Sequence, residues 1–276
     1  CAVVRRGVCR RTGREVAIKE IQKGRVRPEL VAREVAVMRR VGSNPHVATL
    51  LDVHETPEAW FLVMDLARGG ELFDRLAERG PYSERVAAQV VRQVGDALAF
   101  LHAQGVCHRD LKPENIMLVD ETDDSRVQLV DFGLAMLESE TSASPSGTRA
   151  YWPPEVQAGR DRGGLAPDMW ALGCILYILL AGFHPFDPEG ARADTEVGRA
   201  ALRCEYSLEG PAWASVSAPA KDVVRGLLEP DPAKRLTVEG LLVHPWVTGR
   251  AAPSAALHGS DRRLRAYVDG HRRLRA

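Results

Sequence analysis

The sequence predicts an α+β fold, with strands gathered near its start and helices dominating the remainder. Three observations carry this expectation. Short runs rich in Val, Ile, Leu and aromatic residues fall at 1–8, 15–21, 47–53 and 60–66. Longer segments with helical or continuously apolar character follow, at 83–104 and 169–182. Between them lies a hairpin-like stretch, 108–133, in which acidic and amide residues flank short apolar runs. At 276 residues the chain is long enough for one large domain or two lobes.

In chain order, CAVVRRGV and EVAIKEI read as two strands joined by a turn at Thr12-Gly13. Residues 29–41 carry apolar residues at 30, 31, 35, 37, 38 and 41, a broadly helical pattern, and Pro28 suits a first helical turn. VATLLDV and WFLVMDL read as two further strands. Ser83 and Glu84 open a long helix over 83–104, with Val86, Val90, Val94, Leu98 and Leu101 near i, i+4 spacing and Gly105 at its end. The apolar run from Met169 to Gly182, about 14 residues, is too short to span a bilayer and reads as a buried core helix. No secretory signal and no internal repeat are evident.

Composition narrows the function classes. Apolar residues make up 45% of the chain, ample for a core. Lys plus Arg and Asp plus Glu both number 37, so no global charge points to nucleic acid or membrane. The five cysteines, Cys1, Cys9, Cys107, Cys174 and Cys204, show no C-x-x-C spacing and read as reduced thiols of a cytoplasmic or nuclear protein. Cys107 is read as buried rather than reactive. The acidic run 120–124 lacks the Gly and closing Glu of a calcium loop. No G-x-x-x-x-G-K-[ST] exists, which removes a P-loop nucleotidase.

The stretch 108–133 concentrates the chemistry. His108-Arg109-Asp110-Leu111-Lys112-Pro113-Glu114-Asn115 precedes the apolar run Ile116-Met117-Leu118. A turn-rich acidic segment follows, then Val127-Gln128-Leu129-Val130 and Asp131-Phe132-Gly133. Folding this hairpin brings Asp110, Asn115 and Asp131 to its base. Asn and Asp oxygens are hard ligands suited to Mg²⁺, which shares its shell with phosphate. A further Asp could take a proton from a hydroxyl nucleophile, and a Lys could offset phosphate charge.

HRDLKPEN followed by DFG resembles the catalytic and magnesium-binding loops of eukaryotic protein kinases. The resemblance covers residues 1–248 and implies the two-lobed protein kinase fold, with a β-rich N-lobe at 1–66 and a helical C-lobe at 67–248. It also implies transfer of the γ-phosphoryl group of ATP, with Mg²⁺, to Ser or Thr hydroxyls of protein substrates. Asp110 would orient the hydroxyl and accept its proton, and Lys112, the Ser/Thr-kinase pattern, would neutralise the moving phosphoryl group. Asn115 and Asp131 would hold Mg²⁺. Lys19, in Val16-Ala17-Ile18-Lys19, would position the phosphates and pair with Glu34. The nucleotide would lie against Val4, Ala17, Met64, Asp65, Ala67, Glu71, Glu114 and Met117, with Met64 at the back and the backbone of 65–67 facing adenine. Met38 would pack inward against Phe132. The glycines of the phosphate-covering loop are not matched: Val4 fits its last position and Ala2 falls where its third glycine would be, so the chain is expected to begin inside that loop. An inactive kinase-fold scaffold is the alternative.

Several further positions follow from the same resemblance. Asp168 would anchor the backbone of His108 and Arg109, Glu155 of Pro153-Pro154-Glu155 would pair with Arg235, and Thr148 would contact the catalytic loop. Arg109 suggests that phosphate on the Ser/Thr-rich segment 134–152 could order it; Ser142, Ser144 and Ser146 compete as sites, and a loop needing no phosphate stays open. Gly69 to Asp74 and residues 170–187 and 241–247 are most similar to the calcium/calmodulin-dependent protein kinase group. Glu71 and Glu114 together suggest substrates with an upstream Arg. Residues 249–276 read as a linker and a basic tail with six Arg after Asp261. Leu264 and Val268 share a helical face, and Gly270 weakens it. That tail is either the start of an autoregulatory, calmodulin-binding segment or simply solvated. A monomeric catalytic domain, acted on by calmodulin or an upstream kinase, is expected.

Overall fold

The N-terminal runs form one antiparallel sheet in the order β1-β2-β4-β3, built from β1 (Ala2–Val8), β2 (Glu15–Gln22), β3 (Leu50–Glu55) and β4 (Ala59–Asp65). Its register sets Val4 opposite Lys19 and Ala17 opposite Met64. This computed structural model describes residues 2–124, 126–140, 147–161, 163–257 and 259–275. The candidate phosphosites Ser142, Ser144 and Ser146 therefore lie outside the described residues. Helix α1 (Pro28–Val41) starts on Pro28 and buries Val31, Glu34, Val37, Met38 and Val41 along one side. Val31 closes a small core with Ile21 and Leu62 of the sheet.

One strand differs from the sequence expectation. β3 begins at Leu50 instead of Val47 and runs on to Glu55. Val47 and Ala48 are buried, but they bond elsewhere: Ala48 N–H donates to the Leu129 carbonyl, and the Gln128 amide donates to the Val47 carbonyl. They stitch the sheet to the hairpin at 116–129, which apolar patterning alone cannot distinguish from a strand of the sheet. The polar residues Asp52, His54 and Glu55 continue β3 because its outer face is exposed.

Two small antiparallel pieces carry the central motifs. β6 (Ile116–Leu118) pairs with β7 (Val127–Leu129), placing Ile116 opposite Leu129, and β5 (Val106–Cys107) pairs with β8 (Met136–Leu137). The hairpin is the one the sequence implies. α2 (Leu72–Arg79) and α3 (Glu84–His102) pack against it, and the helical part continues with α4 (Pro154–Gln157), α5 (Ala166–Ala181), α6 (Asp194–Leu202), α7 (Ala218–Leu227), α8 (Val238–Val243) and α9 (Ser260–Arg275). Every residue of α5 from Pro167 to Ala181 is buried, so an all-apolar surface suits it. Among the described residues, no helix is long and apolar enough to cross a membrane. α2 bears out the reading of Glu71 as a helix N-terminal acid: Glu71 is its N-cap residue, just after Gly69-Gly70.

The basic tail is a docked helix. α9 runs through Gly270 and packs on α2 and α5, with Leu264 fully buried and Val268 nearly so. Arg265 donates to the Ala77 carbonyl, and Arg272 pairs with Asp74 at 2.7 Å. The solvated-tail alternative is thus replaced, because buried apolar contacts and these bonds outweigh the helix cost of one glycine.

Buried charges fasten the helical part. Glu84 accepts from Ser217 N–H at 2.8 Å, Ser217 Oγ at 2.7 Å and Trp246 Nε1 at 2.7 Å. The sequence marked it only as a helix-opening residue; it joins the starts of α3 and α7 to the segment after α8. Arg235 forms the expected pair with Glu155, at 2.7 and 2.9 Å, and lies over the Trp170 ring. Asp168, fully buried at the start of α5, accepts from His108 N–H at 2.8 Å, Arg109 N–H at 2.9 Å and His102 Nε2 at 3.0 Å. Burial pushes its carboxyl up, but these donors and the nearby histidines outweigh it and hold the group below its ordinary value.

Two stability outcomes follow. Glu84→Ala orphans three donors and should cost about 3 kcal/mol in urea unfolding. Because Asp168 has a folded pKa below its unfolded 3.8, its contribution is present above that value and lost as pH falls through the folded one. Asp168→Asn should be less stable at pH 7 by about 3 kcal/mol or more. Its stability should also fall less than the wild type's on acidification below about pH 4.

Candidate active site

A cavity of about 670 Å³ opens between the sheet and the helical part. Val4, Ala17 and Lys19 line it from β1 and β2, and Met64, Asp65 and Ala67 from the end of β4 and the chain after it. Glu71 and Met117 face them from below, and Asp110, Asn115 and Asp131 close the inner end. The sequence reasoning missed Val26 and Leu30, which also line it from the approach to α1 and its first turn. Their apolar character alone gave no sign of that. Glu114 departs from expectation. It does not line the cavity but a small cleft beside it, with Glu71, Asp74 and residues of α9. The turn Pro113–Asn115 points Glu114 and Asn115 to different sides, and Asn115 alone lines the cavity.

Lys19 is the inner anchor. Its buried ammonium donates to Glu34 Oε1 at 2.6 Å and Asp131 Oδ1 at 2.7 Å. Burial lowers its pKa, but the two carboxylates more than reverse this and leave it raised. Burial pushes the Glu34 carboxyl up more than Lys19 draws it down. Asp131 behaves oppositely: burial raises it, yet the charge and hydrogen bond of Lys19 and the Gly133 N–H hold it below the usual carboxylate range. The Lys19–Asp131 pair is therefore ionised between the ordinary pKa of Asp, 3.8, and that of Lys, 10.5. The charge of Asp131 also pushes Glu34 up, and Glu34's side chain is 5% exposed against 46% for Asp131. Met38 lies buried in the same apolar cluster as Phe132, and the Phe132 ring rests 5.0 Å from that of His108.

A second group of side chains surrounds Asp110. Lys112 Nζ donates to Asp110 Oδ2 at 2.7 Å and to Thr148 Oγ1 at 3.0 Å. Thr148 donates to Asp110 Oδ1 through both N–H and hydroxyl, each at 2.9 Å. Asn115 Nδ2 donates to the Asp110 carbonyl at 2.7 Å, which fixes the amide with its oxygen available on the other side. Arg109 and Asp131 hold φ of 65° and 63°, a region costly for non-glycine residues, and lie in the motifs at 108–115 and 131–133. Gly147, at φ 111°, is needed for the close approach to this loop; a Cβ there would stand 2.9 Å from the Arg109 carbonyl oxygen. The thiol of Cys107, fully buried beside the loop, is pushed well up by burial and is not reactive. Among the described residues the cysteines are all free.

Comparison with known proteins agrees with this geometry. The family model "Protein kinase domain" matches residues 1–247. Calcium/calmodulin-dependent protein kinase type 1B of Rattus norvegicus is 43% identical over 248 residues, 89% of this chain and 71% of the relative. Calcium/calmodulin-dependent protein kinase type IV of Homo sapiens is 41% identical over 267 residues, 96% of this chain and 55% of the relative. Type 1 of Macrobrachium nipponense is 40% identical over 250 residues, 90% of this chain and 71% of the relative. With the sheet, the helical part and the Lys19–Glu34–Asp131 cluster, these matches settle the family: the chain belongs to the protein kinases, as a protein-serine/threonine kinase most like the calcium/calmodulin-dependent protein kinase group.

Proposed function

We propose that the chain transfers the γ-phosphoryl group of Mg-ATP to Ser or Thr hydroxyls of protein substrates that carry an upstream Arg. The observation that supports this most is Lys19 bridging Glu34 and Asp131 while Asp110 stands within the same cavity. An ammonium held between two acids at the inner end of an apolar cleft is placed to meet phosphate oxygens. Apolar walls from Val4, Ala17, Met64 and Met117 suit a purine ring above it.

The donor set fits Mg²⁺. Asp131 is ionised at neutral pH and partly open to the cavity, and Asn115 turns its amide nitrogen away to the Asp110 carbonyl. Two hard oxygen ligands leave the rest of an octahedral shell for phosphate and water. Bound there, the ion would offset charge on the phosphates. Asp110 then orients the substrate hydroxyl and takes its proton; Thr148 and Lys112 hold its carboxylate in one direction. Lys112, 2.7 Å from Asp110, offsets negative charge at the point of attack.

Glu71 and Glu114 line the cleft beside the cavity mouth in which Arg272 of α9 already pairs with Asp74; acidic side chains there suit a cation, which supports an Arg upstream of the target hydroxyl. The relatives' names and the basic, amphipathic α9 support calmodulin as a partner. Free cysteines suit a cytoplasmic or nuclear setting. The catalytic unit is taken as a monomer with residues 1–66 and 67–248 as its lobes and 249–276 as linker and tail.

Transfer of labelled γ-phosphate from Mg-ATP to an Arg-x-x-Ser peptide tests this reading. Asp131→Ala should lower the rate on the order of a hundred- to a thousandfold. Replacing the peptide Arg should raise KM and leave kcat largely unchanged. A folded protein that neither binds nucleotide nor transfers phosphate would sink the enzyme and leave an inactive scaffold.

A further inference from the structure

Arg109, beside Asp110, has a side chain that is only 4% exposed. Such a charge needs an anion, since an unpaired buried cation is strongly destabilising. Phosphate on the Ser/Thr-rich segment 134–152, the activation segment by the kinase resemblance, is one source of that anion. Here Arg109 Nη2 is paired with Asp161, itself 8% exposed, on the loop between α4 and α5. Asp161 is held in turn: its Oδ1 accepts from Gly163 N–H at 3.0 Å.

That loop is fitted closely to the start of the activation segment. Gly164 N–H donates to the Glu138 carbonyl at 3.1 Å. At Gly163, φ 84°, a Cβ would stand 2.7 Å from the Glu138 carbonyl oxygen and 2.8 Å from that of Glu140. Glu138 N–H meanwhile donates to the Gly105 carbonyl at 2.7 Å, just ahead of the catalytic loop. Asp161 thus closes a circuit from the catalytic loop, through its own loop and residues 138–140, back to Gly105. Asp168 fixes the Arg109 backbone; Asp161 fixes its side chain.

We infer that Asp161 is a positioning residue for phosphoryl transfer: it supplies from within the chain the anion that neutralises Arg109, so the catalytic loop is set without phosphate on the activation segment. This rests on the transfer reading above. A carboxylate has less charge than a phosphate, but one already buried against Arg109 leaves an incoming phosphate little to gain.

The test compares full-length wild type, before and after phosphatase treatment, with Asp161→Asn, Asp161→Glu and a variant with Thr141, Ser142, Ser144 and Ser146 all changed to Ala. Asp161→Asn should lower kcat about tenfold or more with KM for ATP changed less than about twofold. Asp161→Glu should recover most of the loss, and phosphatase or the Ala changes should leave kcat within about twofold. An unchanged kcat in Asp161→Asn, or a tenfold fall on phosphatase treatment, would overturn the inference. Should Asp161→Asn not fold, the double change Arg109→Met with Asp161→Met removes the pair without stranding a charge. A folded double variant with full kcat also overturns it, and one with kcat lost supports it. If wild type transfers no phosphate, the functional reading fails separately. Hydrogen exchange of the amides of residues 107–111 then decides: faster in Asp161→Asn and insensitive to phosphatase supports the role, whereas no change in Asp161→Asn refutes it.

Discussion

A buried ammonium between two carboxylates is the constraint on which the rest of this structure depends. Lys19 comes from the sheet, Glu34 from α1 and Asp131 from the end of the catalytic hairpin. Each would be costly to bury alone. Held together, they fix three elements far apart in the chain, so the orientation of α1 and of Asp131 is one problem with one solution. The cost of burying Lys19 is met only in that arrangement, which is also the one that leaves Asp131 facing the cavity. Stability and readiness for chemistry are thus coupled through the same contact.

The lower half of the site uses the same device with different groups. Asp168 collects two backbone N–H groups and His102 at the start of the most buried helix, and so holds the left-handed turn at Arg109 that no local preference favours. Thr148 and Lys112 hold Asp110 from the other side. A carboxylate with both oxygens occupied by fixed donors cannot swing, and in the proposed transfer that fixity leaves little reorganisation for the proton step.

Much of this was legible in the sequence, for identifiable reasons. The hairpin at 116–129 and α5 were readable because strand runs bounded by turn residues, and long continuous apolar runs, leave local signals. The pairs Lys19–Glu34, Asp168 with the catalytic loop, and Glu155–Arg235 were expected from family resemblance; no spacing in the chain reveals them. What stayed hidden involves partners with no local pattern. Val47 and Ala48 look like strand but bond to another layer. Glu84 looks like a helix-opening acid but joins three segments. Asp161 looks like one residue of a polar loop but neutralises Arg109. Glu114 sits next to Asn115 in sequence yet serves a different cleft.

The most direct test of the central claim is a double-mutant cycle on kcat/KM for phosphoryl transfer, using Lys19→Met, Glu34→Gln and the two together. If Glu34 acts by holding Lys19, the double variant should be about as slow as Lys19→Met alone, with a coupling of at least about 1 kcal/mol. Losses that simply multiply, or a Glu34→Gln enzyme as fast as wild type, would contradict the claim that this buried contact sets the site.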